Sequence, residues 1–98
     1  MPFVQIIEYR TSNAEEVDRL GKEWEAAAKG DTTVRRSVLS QDRNDPERFM
    51  NIVFFDSYEE AMENSGKAVT QEFAAKMMAL ASGEPTFHDL DVVNDVTL

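Results

Sequence analysis

The 98-residue sequence predicts an α+β domain whose elements run in the order β-α-β-β-α-β. Three observations carry this. Runs rich in β-branched and aromatic residues start at Phe3, Thr32, Arg48 and Thr86. The apolar period lengthens to that of a helix after the first and third of these runs. Turn chemistry alone joins the second run to the third. That order closes as a ferredoxin-like antiparallel sheet with both helices packed on one side.

The first strand is "FVQIIEYR", Phe3 to Arg10. "TSNAEE" changes the period, because Ser12 with Glu15, or Asn13 with Glu16, has capping-box spacing. Val17, Leu20, Trp24 and Ala27 or Ala28 then recur at helical spacing up to Gly30, a C-terminal stop. "TTVRRSVLSQ" returns to strand character, and "DRNDPE" supplies a turn in which Pro46 fixes its own φ. Residues 33 to 55 therefore read as a β-hairpin with a longer loop. Ser57 and Glu60 form a second capping box. The helix they open is interrupted near Ser65-Gly66 and resumes from about Thr70, where Phe73, Met77 and Leu80 share a stripe with Ala74, Met78 and Ala81 beside it. "SGEP" ends it, and "TFHDLDVV" is the last strand.

Ninety-eight residues make one domain, 1–98, with a single modest core. The formal charge of −9, with ten basic residues scattered among nineteen acids, argues against nucleic acid and against anionic membranes. No cysteine is present, which excludes disulfides, thiolate chemistry and zinc-finger sites. No apolar run is long enough to span a bilayer, and "MPFVQIIEYR" lacks a basic region and a long apolar stretch, so a cytoplasmic location is the expectation.

The third strand, "RFMNIVFFDS", is apolar on both sides. Met50, Ile52 and Phe54 alternate with Phe49, Val53 and Phe55, and Asn51 belongs to the second set. Two helices cover only one face of a four-stranded sheet. At about 25 cal/mol per Å² of apolar surface, leaving the other face wet forgoes several kcal/mol, comparable to the stability of a small domain. A homodimer joined sheet to sheet is the expected remedy.

The element order, the join "FFDSYEEAMENS", the segment "TQEFAAKM" and the ending "PTFHDLDVV" resemble the antibiotic-biosynthesis-monooxygenase-like group of dimeric α+β-barrel proteins. The resemblance is one of pattern and covers nearly the whole chain. It implies a homodimer whose sheets join in a barrel, and a pocket between sheet and helices. In the cofactor-free monooxygenases of that group, an Asn and a Trp four residues apart on the third strand help to bind a phenolic or quinol-like substrate, whose anion can reduce dioxygen. Asn51 and Phe55 stand at that spacing here, so the amide is kept while Phe replaces the Trp and its N–H. The haem-degrading branch has an Asn on strand one, a Trp in the second helical region and a ligating His on a helix. This chain offers Gln5, Trp24 on the first helix and His88 on a strand, which sets it apart.

Each candidate carries two readings. Asn51, flanked by Met50, Ile52 and Val53, is either satisfied by its neighbours or part of a pocket, since a buried amide without partners costs about 1–3 kcal/mol. His88 is the only imidazole, hence either a general base for a phenolic proton or a structural donor. Trp24, Phe73 and Met77 are core residues or an aromatic and soft lining for an apolar ligand. Phe55 and Tyr58 flank the strand-to-helix join, where Tyr58 could bond a ligand or lie on the surface. Asp89 and Asp91 share one side of the last strand, but without a third ligand they predict no metal site. Arg35 and Arg36 point to opposite faces, and one of them should pair with an acid.

Three functions follow. The first is an enzyme that needs no metal or organic cofactor, with His88 and Asn51 as catalytic residues and Phe55, Tyr58, Trp24, Phe73 and Met77 around an aromatic substrate. The second is a non-catalytic dimeric protein that binds an apolar small molecule in the same pocket. The third is an interaction module with the pocket packed shut. The first requires His88 and Asn51 to open onto one cavity.

Overall fold

A computed structural model describes all 98 residues. Its elements are β1 (Phe3–Arg10), α1 (Ala14–Ala28), β2 (Val34–Gln41), β3 (Arg48–Phe55), α2 (Tyr58–Ser65), α3 (Ala68–Leu80) and β4 (Thr86–Asp91). The strands form one antiparallel sheet in the order β2-β3-β1-β4, so β1 and β3 are central. The expected α+β, ferredoxin-like arrangement is the observed one. Two boundaries differ: α3 begins two residues before Thr70, and β4 stops at Asp91. Beyond it, only the Val92 N–H continues the pairing, donating to the Pro2 carbonyl at 2.9 Å.

Local chemistry explains the joins. Of the two possible caps for α1, Asn13 is used; its Oδ1 accepts from the Glu16 N–H at 3.3 Å while Thr11 Oγ1 accepts from the Asn13 N–H at 3.1 Å. Ser57 Oγ accepts from the Glu60 N–H at 3.1 Å and starts α2 directly after β3. Gly30, just past α1, has φ +83°, a left-handed conformation that costs a residue without Cβ nothing. Arg35 is the extra residue of a bulge between Val34 and Arg36, and its side chain leaves the ladder to meet Asp56 at 2.8 Å.

The pleat sorts the residues into two faces. Phe3, Gln5, Ile7 and Tyr9 on β1 stand opposite Phe55, Val53, Asn51 and Phe49 on β3, and this face lies under the helices. Phe3, Val53 and Phe55 pack with Ala61 of α2 at one end. Tyr9 and Phe49 stack with ring centroids 5.8 Å apart at the other, against Val17 of α1 and Met77 and Leu80 of α3. Burial of the Tyr9 phenol pushes its pKa up to about 12, so it stays protonated at neutral pH. The opposite face carries Val4, Ile6, Val38, Met50, Ile52, Phe54 and Leu90 and has no helix over it.

Leu20 of α1 is 3% exposed. Leu20→Ala should lower the unfolding free energy by about 2–4 kcal/mol in urea titrations. Ser57→Ala, which removes only a cap, should cost about 1 kcal/mol.

Candidate functional site

The helices pack on the ends of the sheet and leave its middle uncovered. Across that middle, Leu39, Asn51, Ile7 and Phe87 form one row of the helix-side face, and Ser37, Val53, Gln5 and Asp89 form the next. Above them is a cavity of about 680 Å³, open to solvent, between the sheet, α1 and the α2–α3 junction. Its size is that of a small-molecule site. Trp24 of α1, Phe73 of α3 and Phe55 of β3 give it aromatic walls, and the Trp24 and Phe73 rings meet at 6.2 Å.

The polar groups on the floor are the Gln5 and Asn51 amides and the Ser37 hydroxyl, with the Asp89 carboxylate at the β4 edge and charged side chains of α1 and β2 among the lining residues. Ser37 Oγ donates to Asn51 Oδ1 at 3.2 Å. The Asn51 carbonyl is thereby occupied and its NH₂ group is left for a ligand. Gln5 Nε2 donates to Asp89 Oδ1 at 3.1 Å, which ties β1 to β4 and leaves the Gln5 carbonyl available. Asn64, buried near the end of α2, lines the same cavity, and its Oδ1 accepts from Thr70 Oγ1 at 3.3 Å.

The structure brings together four of the seven residues singled out from the sequence: Asn51, Phe55, Trp24 and Phe73. Three lie elsewhere. Met77 is packed against the Tyr9–Phe49 core. Tyr58 lies on the outside, 49% exposed, edge-on to Phe3 with centroids 5.4 Å apart. His88 pairs with Ile6, whereas Asn51 pairs with Ile7, so the two side chains are on opposite faces of the sheet. The expectation that His88 and Asn51 share a cavity is therefore wrong within one chain. A one-residue difference in register reverses a side chain, and the sequence did not specify how β4 aligns with β1.

On the open face, His88 Nε2 stands 3.7 Å from Glu8 Oε1. Glu8 is held mainly by Arg48, whose Nε and NH2 lie 3.2 Å from its two oxygens and whose NH1 reaches Asp42 at 2.8 Å. The Arg48 hydrogen bond lowers the Glu8 pKa. Asp42 is lowered by the Asn44 backbone N–H and by Arg48. This is a structural cluster, remote from the cavity lining.

Residues that sequence reading missed are Ser37, Asn64, Thr70 and Gly21. Ser37 sits two residues before Leu39 on a hairpin strand, and only the pairing with β3 reveals its contact with Asn51. Gly21 lies in the middle of α1 and lines the cavity; nothing stands within 4 Å of where its Cβ would be. A glycine inside an otherwise regular amphipathic helix was the available signal, because it costs about 1 kcal/mol relative to alanine.

Fold and cavity together define a ferredoxin-like α+β protein with a small-molecule-sized space between sheet and helices. In fold it is similar to a Caulobacter crescentus CB15 protein provisionally named an antibiotic biosynthesis monooxygenase (TM-score 0.83, 14% identity, 95% of this chain and 91% of that one). It is similar also to Rv0793 from Mycobacterium tuberculosis (TM-score 0.82, 11% identity, 99% and 100%) and to PA3566 from Pseudomonas aeruginosa (0.74, 18%, 95% and 95%). No family model matches the sequence, and no curated protein matches it. The shared property is the fold, over nearly the whole length of each chain.

Glu8 and Asp42 have folded pKa values below their ordinary 4.5 and 3.8, so their contribution to stability is complete above those values and is lost as pH falls below them. Glu8→Gln with Asp42→Asn should therefore flatten the acid side of a stability-versus-pH curve below about pH 5. Thermal melts between pH 2 and 7 would check it; an unchanged acid slope would contradict the assignment.

Proposed function

We propose that this chain is an antibiotic-biosynthesis-monooxygenase-like protein that binds an aromatic, quinol-like small molecule in the cavity and lets dioxygen oxidise it. The observation that carries the reading is the Asn51 amide, its carbonyl held by Ser37 and its NH₂ left free, in a cavity walled by Trp24, Phe55 and Phe73. Aromatic rings supply area for a flat substrate, and the amide supplies a donor for an oxygen that becomes negative.

The chemistry balances without an external reductant. An activated CH₂ conjugated to a phenol or ketone loses a proton, and its anion passes electrons to dioxygen and forms a C–O bond. The hydroperoxide takes up a proton and loses water to leave a carbonyl. Four electrons come from the carbon, and one dioxygen becomes one carbonyl oxygen and one water. Asn51 hydrogen-bonds the anion and so favours ionisation. With His88 on the other face, the proton leaves to solvent through the open side of the cavity.

Oxygen uptake with an anthrone, which carries the activated CH₂, tests this. Asn51→Leu should lower the rate by about a hundredfold, as for loss of a donor to a developing oxyanion. His88→Ala should leave it within about twofold, and the pH dependence should follow the ionisation of the substrate rather than that of an imidazole near 6.5. A large loss in His88→Ala would overturn the assignment of the proton to solvent. Asn51's side-chain hydrogen bond is to the Ser37 hydroxyl rather than to a titratable group, which favours a second reading, a protein that binds such a ligand without oxidising it; saturable binding with no oxygen uptake would establish that instead.

The same reading includes a homodimer joined through the open sheet face, where Ile6, Met50, Ile52 and Phe54 have no covering helix. Burying that face supplies the apolar area a 98-residue chain otherwise lacks. Light scattering should give a two-chain particle, and Ile52→Asp should convert it to monomer by placing an unpaired charge in the contact. A wild-type monomer at micromolar concentration would rule the dimer out.

A further inference from the structure

Two asparagines in the cavity share one arrangement. Ser37 donates to the side-chain carbonyl of Asn51 at 3.2 Å, and Thr70 donates to the side-chain carbonyl of Asn64 at 3.3 Å. They stand on different elements, β3 and α2, and both line the same space. In each case a hydroxyl occupies the acceptor end of the amide. The Nδ2 groups, by contrast, make no hydrogen bond within the chain and are open to solvent, since Glu60 Oε2 is the one buried side-chain polar atom without a partner. Both NH₂ groups are therefore donors that water satisfies in the free protein and that a ligand acceptor can take over.

We propose that Asn51 and Asn64 are paired donors to one ligand, with Ser37 and Thr70 as positioning residues that fix both amides NH₂-inward. The ligand is then an aromatic molecule with two oxygen acceptors, carbonyl or phenolate, one over the sheet floor and one toward the α2–α3 junction. A hydrocarbon of the same size fills the cavity but satisfies neither amide, and its affinity suffers accordingly. A phenolic hydroxyl is accommodated through its oxygen lone pairs, and more strongly once it has ionised to phenolate. The inference rests on the reading of the cavity as a small-molecule site and adds the second anchor and its orientation.

The absence of cysteine makes a quinone a usable probe, because no thiol is present to add to it. The side-chain amide protons of ¹⁵N-labelled protein are followed during titration with 1,4-naphthoquinone, which has two acceptor oxygens, and with naphthalene, which has none. Both the Asn51 and the Asn64 NH₂ signals, assigned by substitution, should move with the quinone and stay in place with naphthalene. Asn64→Leu should weaken naphthoquinone binding by about tenfold and leave naphthalene within about twofold. Thr70→Val should weaken the quinone by about threefold by freeing the amide to rotate, and Thr70→Ser should restore it. Movement of the Asn51 signal without that of Asn64, or equal losses for both probes in Asn64→Leu, overturns the second anchor while the cavity reading stands. If neither probe shifts any cavity signal, the cavity reading itself falls and the paired donors with it.

Discussion

The pleat of β3 is the constraint on which the other features depend. Successive residues alternate between two faces, and both sets are apolar, so the strand needs cover on both sides. Helices α1 and α3 reach only one. On that side Phe49 and Phe55 anchor the ends, and Asn51 and Val53 are left between them beneath the gap. The cavity is thus what remains when two helices cover the ends of a sheet whose middle rows hold Gln5, Ser37 and Asn51, polar residues that gain nothing from being packed dry. On the other side Met50, Ile52 and Phe54 have no helix at all. One alternating strand therefore sets both where a ligand fits and where a second chain would fit.

Charge is distributed to match. The chain carries −9 overall, a repulsive load for any self-association. Yet the strand residues of the open face include three arginines, Arg10, Arg36 and Arg48, and one acid, Glu8. Arg48 grips Glu8 by two contacts, Arg10 meets Asp45 at 2.6 Å, and the Arg36 guanidinium lies 5.4 Å above the Phe54 ring. A cation over an aromatic face keeps the ring partly covered while leaving it able to contact a partner. The loop acids that border this face, Asp42 and Asp45, are paired with its Arg48 and Arg10, so their charge is offset where it meets the apolar patch.

Much of this was legible in the sequence. The order of elements, the broken second helix and the two-faced third strand follow from periods and caps that act over four or five residues. The placement of Asn51, Phe55, Trp24 and Phe73 around one space follows from the same periods once helices are laid over the sheet. His88 was misplaced for a different reason. Its face depends on how β4 aligns with β1, a pairing between residues about 80 positions apart for which no local period holds information. Asn64 and Ser37 were missed because their significance lies in contacts, Thr70 with Asn64 across a helix break and Ser37 with Asn51 across a hairpin. Met77 was misassigned because a helix stripe contains both core and lining, and the stripe does not say where one ends and the other begins.

The site also explains concessions in local stability. Gly21 weakens α1 at its middle by about 1 kcal/mol, yet a side chain there would project toward the cavity rather than improve any packing. Asn64 is buried on α2, where it spends its side-chain carbonyl on Thr70 and faces the cavity rather than joining an apolar cluster. A chain selected for stability alone would fill these positions. Their coincidence around one cavity is what the proposed ligand-binding role accounts for: the open volume, the two amides and the glycine all serve a space left unfilled by the chain. Because the floor of that cavity provides hydrogen-bond donors and no imidazole, the proposed function puts discrimination on the ligand: flatness to match Trp24, Phe55 and Phe73, and acceptor oxygens to match the amides. In that proposal the ligand's own acidity, rather than a basic side chain, sets whether its anion forms and can react with dioxygen.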